Sequence, residues 1–265
     1  MNTKTLFPSW TKLNEDVKRL KAELPLLILE RDDLILVECV NIKTIYMLKL
    51  GALEYKAYEA ECALLRVRRK IQLIQAKINR EEKINIKNIE TILDTEFEEY
   101  QAKLNEKIDE INTAIEHNKG EFLTKEEALE IKKLYSLIVK ALHPDLNKDL
   151  GSEKIQLFYN AVNAYKNGDI NTIRLISVML EDNQEIKDLS SNELEKEKAK
   201  LESIIEEIHK TINETKSSFP YTMKEVVEYE EKIEEIKNDL EINIEQLQDA
   251  IKACNERIEE LLETK

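Results

Sequence analysis

The stretch VVEYEEKIEEIKNDLEINIEQLQDAIKACNERIEEL, residues 226–261, decides the fold class. Its apolar side chains, Val226, Tyr229, Ile233, Ile236, Leu240, Ile244, Leu247, Ile251, Cys254, Ile258 and Leu261, recur at spacings of 3 and 4. Only an α-helix gathers such positions on one side. The near-heptad period makes that side a seam for a second helix, with one stutter. At 1.5 Å per residue a helix over 224–263 reaches about 60 Å. Upstream, Ser217-Ser-Phe-Pro-Tyr221 reads as a turn, and Leu194, Leu201, Ile205, Ile208 and Ile212 form a shorter stripe. The two stripes predict an antiparallel hairpin over 190–265. Its longer arm leaves apolar positions for the N-terminal hairpin or a second chain to cover.

The N-terminal part repeats this grammar. Residues 10–24 predict a short helix stopped by Pro25. Leu64, Val67, Ile71, Ile74 and Ile78 form a stripe, and residues 81–88 interrupt it with two asparagines. Ile89, Leu93, Phe97, Tyr100, Leu104, Ile108, Ile111 and Ile115 resume at spacings that approach an 11-residue period. Packing 87–118 back along the preceding helix gives a first hairpin, within 1–118, ended at Gly120. The basic run Arg66-Val-Arg-Arg-Lys70 reads first as a solvated or acid-paired helix face.

Residues 121–182 differ. Thr124 is an N-cap candidate ahead of Glu126 and Glu127, and a helix is expected over 125–142 with Ile131, Leu134, Tyr135, Ile138 and Leu142 inward. Over Ile131–Leu142 its other side carries Lys132, Lys133 and Lys140 and no acid. Pro144 forces a stop. Ser152 and Asp169 cap two further short helices, with Phe158, Val162 and Tyr165 facing Tyr135 and Ile138 across the core, and Gly168 between the two helices. Residues 183–192 read as a polar linker.

The run Lys132-Lys-Leu-Tyr-Ser-Leu-Ile-Val-Lys-Ala-Leu-His-Pro-Asp-Leu-Asn147 resembles the second helix and loop of a J domain, the signature module of DnaJ-type co-chaperones. His143, Pro144 and Asp145 match the family's tripeptide, and Tyr135, Asn147, Phe158 and Ala164-Tyr165 match its flanking positions. The resemblance covers about 60 residues. The family's first helix is missing before Thr124, Leu146 stands where a basic residue is usual, and Ser136-Leu137 replace a basic pair. Long coiled coils around such a module also resemble those of uncharacterised bacterial J-domain proteins. The resemblance implies docking on a DnaK-type chaperone and stimulation of its ATP hydrolysis. His143, Pro144, Asp145, Lys132, Lys133 and Lys140 would be the partner-binding residues, and the coiled coils would bind a client or scaffold protein. Pro144 presents two polar side chains in a defined direction, His143 can donate or accept near neutral pH, and Asp145 can accept from an arginine. No nucleophile, second carboxylate or metal ligand is spaced near them, so the chain reads as no enzyme, with no cofactor and no metal. The alternative is a structural, oligomerising coiled-coil protein whose J-like fold only packs.

Composition agrees. Among 265 residues there are 4 Gly and 4 Pro, and 35% are charged. Such poverty in turn formers excludes most strand-rich designs. The reading is all-α: long antiparallel coiled-coil hairpins flanking a small J-domain-like helical module. Net charge is −14. A field of that sign disfavours phosphate backbones and anionic bilayers. Cys39, Cys62 and Cys254 show no framework or ligand spacing and read as buried free thiols. Neither a secretory signal nor a run long enough to span a bilayer is apparent. The expected context is cytoplasmic, with self-association and without nucleic acid or membrane.

Overall fold

The computed structural model describes residues 8–119, 123–147, 150–180 and 191–263. The expected linker 183–192 and the stop at Gly120 lie largely outside them. Among the described residues every regular element is helical, so the chain is all-α. The elements are α1 (Pro8–Asp33), α2 (Cys39–Tyr46), α3 (Ala52–Asn79), α4 (Ile86–Glu96), α5 (Glu98–Asn118), α6 (Lys125–Leu142), α7 (Ser152–Lys166), α8 (Ile170–Val178), α9 (Ser191–Lys216), α10 (Lys224–Glu228) and α11 (Glu230–Glu263). Five-residue π-helical turns, Leu34–Glu38 and Met47–Gly51, flank α2.

The described contacts group the chain differently from three consecutive blocks over 1–118, 121–182 and 190–265. One compact unit joins Met1–Asn41 to Glu121–Thr222, and the other joins Ile42–Gly120 to Met223–Lys265. Neither C-terminal helix takes the other as its main partner. In the first unit α9 lies along α1, and in the second α11 lies along α3. Both pairings are parallel. Asp16–Lys198 and Lys21–Glu197 bridge the early turns of α1 and α9, while Glu30–Lys216 bridges their ends. Ile233 clusters with Met47 and Leu50 near the start of α3, and Ile258 and Leu261 cluster with Ile74 near its end. The expected C-terminal hairpin is therefore not the arrangement seen. An apolar stripe specifies that a helix needs a partner but not which one.

The first unit has a single core. Leu20, Leu24 and Ile28 of α1 and Leu201, Ile205 and Ile208 of α9 are continuous with Tyr135, Ile138, Phe158, Ala161 and Ile173 of the module. Pro25 does not end α1 but lies inside it. A proline in a helix interior costs about 3 kcal/mol. Leu24 and Ile28 on either side are both 0% exposed, and burying two such side chains returns about 3–6 kcal/mol. Packing outweighs the break.

In the second unit α4 and α5 run antiparallel to α3. The chain reverses through Glu81, whose φ is +57°, and Asn85 caps α4 by accepting the Asn88 amide. The expected single helix over 87–118 is two helices, broken at Phe97, which stacks on Tyr100 at 5.1 Å. Gly51 allows α5 to approach: a Cβ there would stand 3.1 Å from Ile111 Cγ1.

Candidate partner-docking site

α6 begins where its sequence says it should. Thr124 Oγ1 accepts the Glu127 amide and the Glu127 carboxylate accepts the Thr124 amide, closing a capping box. Ile131, Tyr135, Ile138, Val139 and Leu142 are buried and Leu134 is half-buried. The helix ends at Leu142, two residues before Pro144, with His143 as its C-cap. The loop then folds on itself: the Leu146 and Asn147 amides donate to the His143 carbonyl, and Asn147 Nδ2 donates to the Lys140 carbonyl at 3.2 Å. Asn147 thus satisfies an end-carbonyl of α6 that would otherwise lack a donor. α7 follows, then Gly168 at φ +67°, a left-handed position that glycine occupies without strain. Asp169 caps α8 by accepting from Thr172. Phe158 and Tyr165 are buried as expected, and Val162 is half-buried.

The six expected docking residues separate into two groups. Lys133 and Lys140 are exposed and, seven residues apart, share one helix face with Leu137, which is 50% exposed. Pro144 is half-buried, and the Asp145 side chain is 53% exposed. Lys132 and His143 are engaged internally. Lys132 Nζ donates to Asp33 Oδ2 at 2.8 Å. His143 does not face solvent: it is 7% exposed, with its ring edge-on to Phe158 at 5.0 Å. Its Nδ1 accepts the Asp145 amide at 3.1 Å, so this nitrogen carries no proton and the neutral ring holds its hydrogen on Nε2. Burial pushes the His143 pKa below its ordinary 6.5, outweighing the nearby Asp145 carboxylate.

Sequence reasoning missed the acidic pair Asp32-Asp33. Asp32, 6% exposed, accepts from the Tyr135 hydroxyl at 2.8 Å and from Arg31 Nη2 at 2.6 Å. Asp33 accepts from the Tyr165 hydroxyl at 3.0 Å as well as from Lys132. The two tyrosine rings stack at 4.1 Å. Burial, reinforced by these carboxylates, drives both phenol pKa values far above the ordinary range. The available signal was two adjacent carboxylates between the apolar runs 26–29 and 34–37, which require internal donors once those runs are buried.

The other candidates resolve plainly. Arg66, Arg69 and Lys70 pair with Glu90, Asp94 and Glu96 of α4. Cys39 and Cys62 are buried, and desolvation raises both thiol pKa values. His117 Nδ1 lies 3.3 Å from Thr44 Oγ1. An open groove of about 430 Å³, lined by Cys62, Arg66, Phe97 and Tyr100 among others, lies in the second unit. Among the described residues no cluster of His, Cys, Asp and Glu could hold a metal, and no helix is long and apolar enough to cross a membrane. Comparison with family models, with curated proteins and with solved structures finds no match.

Proposed function

We propose that this chain is a co-chaperone-like adaptor that docks on a DnaK-type chaperone and stimulates its ATP hydrolysis without hydrolysing anything itself. The supporting observation is the half-exposed Asp145 carboxylate on the self-bonded loop that follows α6, a helix on which Lys133, Leu137 and Lys140 are exposed. A carboxylate held by a stiff loop can accept a charge-assisted bond from a partner arginine, and the lysines steer an acidic surface toward it. In this reading Asp145, Lys133, Lys140 and Leu137 touch the chaperone, while His143 and Pro144 shape the loop. Lys132 joins only when released from Asp33. The paired helices of both units serve client binding and self-association, in a cytoplasmic setting.

The test is single-turnover ATP hydrolysis by the DnaK-type protein of the same cell, titrated with this chain at two salt concentrations. Asp145→Asn is expected to abolish stimulation. Lys133→Ala and Lys140→Ala should weaken it gradually and reduce its salt dependence, since exposed charges contribute modestly. A second reading, a structural protein whose module only packs, draws on the burial of His143 and the Lys132–Asp33 pair. It becomes the better one if the wild-type chain stimulates nothing at any concentration.

A further inference from the structure

We infer that His143 is a proton-sensitive positioning residue that sets the direction of the Asp145 carboxylate. The loop offers the His143 ring two alternative hydrogen-bond arrangements. With the ring neutral, Nδ1 accepts the Asp145 amide at 3.1 Å, and the carboxylate, half-exposed, is not bonded to the ring. With the ring protonated, Nδ1 becomes a donor and can no longer accept that amide. A carboxylate acceptor for the new proton is at hand in Asp145 itself, whose Oδ2 stands 3.8 Å away. Closing that gap to hydrogen-bond distance draws the carboxylate onto the imidazolium and out of solvent. One proton thus exchanges an amide-held loop with its carboxylate outward for a salt-bridged loop with its carboxylate inward.

The surroundings favour the first arrangement near neutral pH. Phe158 of α7 presents an uncharged ring, and only 7% of His143 is exposed. From α1, Arg31 opposes a second positive charge, and Asp32, the smaller influence, favours it. On α6 the charged side chain nearest in sequence is the exposed Lys140, whose backbone carbonyl is already held by Asn147. Desolvation therefore decides in favour of the neutral ring, and the exchange falls below pH 6.5. The consequence for docking rests on the adaptor reading. The exchange itself does not, because it belongs to the free chain.

The experiment is a pH titration of the ¹⁵N-labelled full chain from 7.5 to 5.0, without any partner. It follows the ring nitrogens of the three histidines and the amide of Asp145. The expected result is an Nε2–H tautomer for His143 at pH 7.5 and a midpoint below 6.5. The Asp145 amide should shift with that same midpoint and not with those of His117 or His209. Its exchange rate, corrected for pH, should rise about fivefold to tenfold, the weight of one hydrogen bond. In His143→Gln, whose amide oxygen can accept but does not titrate, the Asp145 amide should be indifferent to pH. A His143 midpoint at or above 6.5, an Asp145 amide that ignores the His143 titration, or a response that persists in a folded His143→Gln chain would each overturn the inference. If that variant does not fold, the wild-type titration decides alone. Loss of chaperone stimulation in an otherwise normal titration would count against the adaptor reading and not against this one.

Discussion

Tyr135→Phe removes one oxygen atom and tests whether α1 is locked to the module by the bonds described. The ring remains, and with it the stack on Tyr165 at 4.1 Å. What is lost is the hydroxyl that donates to Asp32 at 2.8 Å. Asp32 is 6% exposed, so water cannot readily replace the donor, and Arg31 continues to hold only Oδ1. Removing one partner of a buried, charge-assisted hydrogen bond costs about 1.5–3 kcal/mol. In a unit of roughly 140 residues that lowers the melting temperature by about 4–10 °C. The assay is thermal unfolding of the full chain, followed by near-ultraviolet circular dichroism, for Tyr135→Phe, Asp32→Ala and the double variant. The two losses should not add: once Asp32 is absent, the hydroxyl has no acceptor to lose, and a coupling of at least about 1 kcal/mol is expected. A Tyr135→Phe protein that melts with the wild type, or two losses that simply sum, would refute the lock.

Two further outcomes follow from burial and titration. Leu93→Ala, at a side chain 0% exposed beside Ile74 and Ile258, should cost about 2–5 kcal/mol. Hydrogen exchange should show that loss in α3, α4 and α11 before α6–α8. Stability of the first unit should fall as pH drops below 6.5: the unfolded chain takes up the His143 proton near 6.5 and the folded chain only lower, so acid favours unfolding. Denaturation midpoints at pH 7.5 and 5.5 check this, and His143→Gln should flatten the difference.

The module was the most legible part of the sequence because its signals are local. Thr124 with Glu127, Pro144, Gly168 and Asp169 each act within a few residues of where they stand, and the structure puts the helix ends there. Partner choice was not legible. The stripes on α1, α3, α9 and α11 carry the same residue types, so a local reading joined neighbours in sequence and missed the pairings of α1 with α9 and α3 with α11. Pro25 misled for a related reason: its local cost is known, but the burial that outweighs it comes from α9, more than 160 residues away. At the candidate site the tripeptide marked the loop after α6 as the one to follow. It could not show that Phe158 would cover His143, because that requires knowing how α7 returns across α6. Asp32 and Asp33 went unread because the tyrosines they satisfy lie about a hundred residues or more downstream.

The discontinuity of the two units also bears on the order in which the chain is made. α1 ends at Asp33 and its partner α9 begins only at Ser191. At about 5–20 residues per second, a ribosome leaves the seam of Leu20, Leu24 and Ile28 without its proper partner for roughly 8–30 s. The second unit waits in the same way, since α3 is complete before α11 has begun. Throughout that interval each of the two helices lacks one of its partners, and the nascent chain must close two long loops to supply it, the slow kind of step in folding. A protein built this way depends on whatever shields its first helices during synthesis, and its yield should respond to translation speed and to holding chaperones more than its final stability does.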